Sequence, residues 1–226
     1  MTLELPRKED LEFARNHECS PQLYYSVVFG RFYRKKLQML LDLLPKEKTG
    51  KILEIGFGSG IALKELSKRA EHVHGIDVHD LSASVQTVLD KNSIQNVRLH
   101  QHNIFVEPFT ADHNFDYVFS SSVFEHLQKD AIRVALRHVS ECLKNDGYFL
   151  IGFPLKTAPM NFAFKAYETI YKRFLNIYDF SLEHDHPSGQ DEIMPLLRER
   201  FEIEEERYFI NRFVKLYVVL KCKKKI

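Results

Sequence analysis

The sequence predicts an α/β domain built on a largely parallel sheet, and three observations carry that expectation. Residues 51–60, KILEIGFGSG, run β-forming residues straight into glycines at 56, 58 and 60, after which Ile61, Ala62, Leu63 and Leu66 recur at helical spacing. Residues 72–77 and 97–100 are further short strands separated by a helical stretch over 81–91. Residues 115–120 and 148–153 repeat the pattern around an amphipathic stretch marked by Ile132, Ala135, Leu136, Val139 and Leu143. Strands that alternate with helices are those of crossover connections, and crossovers pair strands in parallel.

The glycine-rich turn is the centre of the chain. Glycines allow backbone dihedrals that a Cβ would strain and let a ligand approach the amides, while the next helix opens with free N–H groups. The spacing is Gly-x-Gly-x-Gly with Ile61 where a dinucleotide fingerprint has its last glycine, which weakens a pyrophosphate-binding reading. About twenty residues on, Asp77 ends the second strand, and a carboxylate there can accept two hydrogen bonds from the vicinal hydroxyls of a ribose. The other role open to it is capping the following helix, for which Asp80 is better placed.

A chain of 226 residues is ample for one buried core and lies near the upper end of a single α/β domain. The net charge of +1 gives no global basic field, so nucleic acid is not an expected partner. Cys19, Cys142 and Cys222 are far apart without ligand pairing, arguing for a reducing compartment and against a disulfide frame or zinc site. Glu4, Glu9 and Asp10 stand where a leader would be apolar, and no apolar stretch approaches the ~20 residues of a membrane span. A cytoplasmic protein is expected.

Ahead of the turn, residues 24–44 place Val27, Val28, Phe32, Leu37, Leu40, Leu41 and Leu44 at helical spacing with Arg31, Arg34, Lys35 and Lys36 between them. Tyr24 and Tyr25 either touch cofactor or substrate or dock this helix on the sheet. The basic residues meet an acidic substrate or form a solvated face.

The segment from Glu54 to Gly60, an acid two residues before the first of three glycines, resembles the first motif of the class I S-adenosyl-L-methionine-dependent methyltransferases. Phe115-Asp116, the apolar run after it and the Phe124-Glu125-His126 triplet resemble the fourth motif of the type-11-like members, and LKNDGYFLI over 143–151 resembles the motif at the fifth strand. The resemblance covers about 52–153. It implies a Rossmann-like, seven-stranded, mostly parallel sheet with helices on both faces and the last strand antiparallel. The expected divisions are an N-terminal helical cap over 1–48, a cofactor-binding core over 49–154, a lid insertion over 155–190 and a C-terminal helix and strands over 191–226.

For the site, the resemblance implies that Glu54, Gly56, Gly58, Gly60 and Asp77 hold S-adenosyl-L-methionine, or its product S-adenosyl-L-homocysteine. Val78 and Ile104 would be apolar neighbours of the adenine, and Asn103 would stand where the family commonly has an aspartate facing the adenine amino group. Ser120 and Ser121 would lie beside the methionine part. His126 is a candidate general base, since an imidazole accepts a proton near neutral pH, or else it fixes its loop. Some quinone-type relatives place a further acid three residues before the glutamate to complete a divalent-cation site; here that residue is Ser122, so no required metal is expected.

Residues 155–190 carry Phe162, Phe164, Tyr167, Ile170, Tyr171, Phe174, Leu175 and Tyr178 at helical spacing among basic residues, consistent with a substrate lid, a membrane-surface contact or an extension of the core. In LEHDHPSGQ over 182–190, His184 and His186 are alternative bases or loop-fixing residues. The lysines at 221, 223, 224 and 225 form a solubilising tail or a weak contact to anionic lipid. The expected activity is methyl transfer to an oxygen, less readily a nitrogen, of a small-molecule, lipid or glycan acceptor; the rivals are a non-catalytic cofactor-binding scaffold and an NAD-dependent oxidoreductase.

Overall fold

The computed structural model describes residues 3–14, 21–27, 29–155, 188–210 and 215–225. Its sheet is built from β1 (Thr49–Ile55), β2 (Ala70–Asp77), β3 (Val97–Gln101), β4 (Phe115–Ser121), β5 (Leu143–Pro154), β6 (Phe201–Ile210) and β7 (Lys215–Lys224). The order across the sheet is β3-β2-β1-β4-β5-β7-β6. β1 pairs in parallel with β2 and β4, β2 with β3, and β4 with β5, while β7 runs antiparallel between β5 and β6. The seven-stranded, mostly parallel sheet with its antiparallel last strand is therefore present. Strand order reverses direction between β1 and β4, and in such sheets ligands bind in the crevice outside the carboxyl ends at that point.

The helices are α1 (Gln22–Tyr25), α2 (Gly30–Leu41), α3 (Leu63–Arg69), α4 (Ser82–Lys91), α5 (Lys129–Cys142) and α6 (Gln190–Arg200), with 3₁₀ turns at Lys8–Ala14 and Phe124–His126. They cover both faces because strand side chains alternate. Ile52 of β1 joins a core with Leu37, Leu40, Leu63, Leu66, Val85 and Leu89 from α2, α3 and α4. Its neighbour Leu53 joins the opposite core with Ile132, Leu136, Val139, Ile193 and Leu197 from α5 and α6. Each such side chain contributes about 1.5–3 kcal/mol by leaving water.

Three elements depart from the sequence expectation. The single helix expected over 24–44 is broken, with Ser26 extended and its hydroxyl and carbonyl taking the amides of Phe29 and Gly30 at 3.2 and 2.8 Å. A serine that bonds the backbone locally competes with helix, and Val27, expected on the apolar face, is fully exposed. The helix after the glycine turn starts at Leu63 instead of Ile61, after a turn in which the Leu63 amide donates to the Gly60 carbonyl at 3.2 Å. β5 begins five residues early, at Leu143, which pairs with Phe115 across a register shift before regular pairing resumes at Tyr148.

Cys142 and Cys222 are buried free thiols, and burial pushes both pKa values up, Cys142 to about 11. Cys19, most of the expected lid, and His184 and His186 lie outside the described residues.

Candidate functional site

The glycine turn sits at the carboxyl end of β1. Gly56, Gly58 and Gly60 all adopt positive φ, at 74°, 51° and 77°, where an L side chain is strained. Space compounds strain at two of them. A Cβ at Gly56 would collide with Val123 Cγ2, and one at Gly60 would lie 2.7 Å from Val85 Cγ1.

Asp77, at the end of β2, is 6% exposed and faces this turn. Its Oδ2 accepts the Gly58 amide at 2.7 Å and its Oδ1 accepts the His79 amide at 3.0 Å. Each carboxylate oxygen has a second lone pair, so capacity for a vicinal diol remains. Glu54, one residue before the end of β1, is 4% exposed, and its Oε2 has no hydrogen-bond partner. Burial first, and then the charge of Asp77, push its pKa up to about 8. Ser120, fully buried at the end of β4 and paired with Ile55, also has an unpartnered hydroxyl. Two orphaned buried polar groups beside a Cβ-free cradle fit a polar nucleoside-type ligand such as S-adenosyl-L-methionine.

The remaining expected cofactor contacts are placed unevenly. Val78 is 42% exposed next to Asp77 and presents apolar surface. Ile104 is turned into the core, 1% exposed, with its carbonyl bonded to His138 Nδ1 at 2.8 Å; its side chain therefore offers no ligand-facing surface. The Asn103 side-chain oxygen accepts the Phe105 amide at 3.0 Å, closing a local turn, and on this exposed residue its second lone pair remains for the adenine amino group expected there.

β4 ends at Ser121, and Ser122, Val123 and the Phe124–His126 turn follow. Phe124 is fully buried and packs on Phe149, ring centres 5.5 Å apart, which anchors the triplet. The anchoring turns Glu125 inward, 1% exposed with Oε2 unpartnered, and leaves His126 exposed. Burial raises the Glu125 pKa to about 7 against the opposing pull of Lys36 and Ser122.

Sequence reasoning did not single out Glu125 or Tyr217, and it carried Lys36 only within the basic residues that meet an acidic substrate or form a solvated face. Lys36 Nζ donates to Ser122 Oγ at 3.2 Å, and Ser122 Oγ lies 3.0 Å from the Tyr217 hydroxyl. The signal for Lys36 was present in the basic cluster of α2; Tyr217 looks like any core aromatic of a strand. Among the described residues no group of three or more His, Cys, Asp and Glu side chains converges as a metal site would. A cleft of about 430 Å³ opens elsewhere, toward the amino ends of β1 to β3, lined by Lys51, His72, His74, Arg98 and Asp112. It is remote from the glycine turn and holds none of the expected site residues.

Residues 52–147, which hold the glycine turn at β1 and the acid at the end of β2, match the model of a methyltransferase domain family. Among relatives, 112 residues are 29% identical to an uncharacterized methyltransferase of Staphylococcus carnosus (strain TM300), covering 50% of this chain and 51% of that protein. A second, from Alkaliphilus oremlandii (strain OhILAs), is 27% identical over 128 residues, 57% of this chain and 56% of its own. The chain thus spans about half the length of the curated relatives it matches. The fold is similar to that of the N-methyltransferase NodS from Bradyrhizobium japonicum WM9, solved in complex with S-adenosyl-L-homocysteine, with a TM-score of 0.65 and 14% identity over 96% of this chain and 98% of that one. It is also similar to a SAM-dependent methyltransferase from Aquifex aeolicus, with a TM-score of 0.61 and 15% identity over 84% and 89% of the two chains. Among the described residues no helix is long and apolar enough to cross a membrane.

Proposed function

We propose that the chain is an S-adenosyl-L-methionine-dependent methyltransferase acting on an oxygen, less readily a nitrogen, of a small-molecule, lipid or glycan acceptor. The observation that carries this reading is the pairing of three positive-φ glycines with Asp77 inside a segment that matches a methyltransferase domain family. In it, Gly56, Gly58 and Gly60 give the cofactor close backbone approach, and Asp77 accepts from its ribose hydroxyls. Glu54 and Ser120 offer their unpartnered oxygens to its polar groups, and Val78 offers an apolar surface.

The cofactor brings a methyl group already made electrophilic by its sulfonium. What remains for the protein is to align an acceptor atom with that methyl and to exclude water. His126 and, from the segment outside the described residues, His184 and His186 are the proposed bases for an acceptor that must lose a proton. Ser121 borders the same crevice.

Calorimetric titration with S-adenosyl-L-homocysteine tests the reading on the wild type and on Asp77→Ala. Loss of paired ribose hydrogen bonds should cost about 1–3 kcal/mol of affinity. Clear wild-type binding, weakened about tenfold or more in the variant, supports the assignment; no wild-type binding refutes it.

A further inference from the structure

Three elements far apart in sequence bring a charged cluster to the carboxyl ends of β4 and β5. Lys36 comes from α2, Ser121 and Ser122 from the end of β4, and Tyr217 from β7. Besides the bonds through Ser122, the Tyr217 hydroxyl lies 3.4 Å from Ser121 Oγ. The Lys36 ammonium sits 4.3 Å from the centre of the Tyr33 ring and 5.2 Å from that of Tyr217, within cation–π range.

The cluster is built into the fold. Lys36 is 8% exposed and Tyr217 1%, and lysine is seldom buried to that degree. Ser122 holds φ at 59°, uncommon for a residue with a side chain. Gly152 makes room for the phenol, since a Cβ there would lie 2.8 Å from the Tyr217 hydroxyl oxygen. The next residue, Val123, is the one packed against Gly56, so the cluster borders the glycine turn directly. Glu125 is buried beside it, one oxygen unpartnered and its carboxylate stabilised by the Lys36 charge.

We infer that the acceptor enters this crevice as an anion, its ionised oxygen held beside the Lys36 ammonium and the hydroxyls of Ser122 and Tyr217; the inference rests on the methyltransferase reading above. The class it names is carboxylates and acidic phenols or enols. The step then balances without a base: a lone pair of the ionised oxygen forms the new C–O bond, the methyl–sulfur bond breaks with its electron pair going to sulfur, and anion plus sulfonium become a neutral ester or ether and a thioether. No proton moves. Glu125 competes with the acceptor for the same ammonium, so removing the charge at 36 and removing it at 125 act in opposite directions.

The test uses protein saturated with S-adenosyl-L-homocysteine and three acid–amide pairs, benzoate with benzamide, octanoate with octanamide and malonate with malonamide, followed by saturation-transfer NMR. At least one acid should bind at least tenfold more tightly than its amide, as expected for a hydrogen-bonded charge. Lys36→Met should abolish that preference and Glu125→Gln should strengthen it, while affinity for S-adenosyl-L-homocysteine, which also reports folding, changes by less than about threefold. Amides that bind as well as the acids, acids that do not bind, or a Lys36→Met variant that keeps the preference, each with S-adenosyl-L-homocysteine still bound, overturn the inference alone. Failure of the wild type to bind S-adenosyl-L-homocysteine overturns the methyltransferase reading and the inference with it.

Discussion

The Asp77 carboxylate accepts the Gly58 amide at 2.7 Å, so one side chain braces the glycine turn and also faces the place proposed for a ribose. Replacing Asp77 by Ala removes both roles at once, so a loss of binding places the site at this turn without apportioning the loss between them. Asp77→Asn separates them. The amide oxygen can still accept from Gly58, while the NH₂ can accept neither from a hydroxyl nor from the His79 amide, the latter a loss of about 1 kcal/mol. Asp77→Asn should therefore melt within a few degrees of the wild type yet bind S-adenosyl-L-homocysteine about 1–3 kcal/mol more weakly. An Asn variant that binds like the wild type would remove Asp77 from the ribose role.

Gly56 and Val123 make a second separable pair. Gly56→Ala places a methyl group on Val123 and fixes a residue with a Cβ at φ 74°. The left-handed backbone alone costs about 1–2 kcal/mol, and the clash adds to it. Val123→Ala in the same chain removes the clash but not the strain. The double variant should recover part of the lost stability in urea unfolding, whereas additive losses would show that Val123 does not limit space at Gly56.

These two pairs also show what was legible in the sequence. Strand positions, the glycine turn and Asp77 follow from local rules, because hydrophobic periodicity and glycine spacing act over a few residues. The break at Ser26 escaped because a helical pattern in the side chains does not register one hydroxyl bonding the backbone. Ile104 was assigned by position in a motif, and the structure sends its side chain into the core. Lys36 and Tyr217 lie 181 positions apart and meet only because β7 inserts between β5 and β6. No window along the chain contains that information.

Glu54 gives the turn a pH dependence of definite sign. Its pKa rises from the usual 4.5 to about 8 on folding, so the folded protein holds a proton that the unfolded chain has released. The stability tied to this group is complete below pH 4.5 and is lost as pH rises through about 8. Glu54→Gln is neutral throughout and escapes the penalty. Urea unfolding at stepped pH should show the variant gaining on the wild type between pH 5 and 8; a constant difference would mean that Glu54 titrates normally.

His74 supplies the opposite sign at the other end of the strands. Its ring stacks on His100, ring centres 5.2 Å apart and nearly parallel, with Nδ1 3.1 Å from His100 Nε2 and Nε2 3.3 Å from Asp112 Oδ2. An ionised Asp112 only accepts, so His74 donates from Nε2, and in the neutral ring Nδ1 accepts from His100. Burial first, and then the neighbouring His100, lower its pKa from 6.5 to about 4. As pH falls the unfolded chain takes up the proton first, so the stability is present above 6.5 and is lost as pH falls through about 4. His74→Gln should start less stable at neutral pH, through the lost stack, but lose less than the wild type as pH falls from 6.5 to 4. Denaturant midpoints at half-unit pH steps give the two slopes. Parallel slopes would mean that acid unfolding is governed by the carboxylates instead of this imidazole.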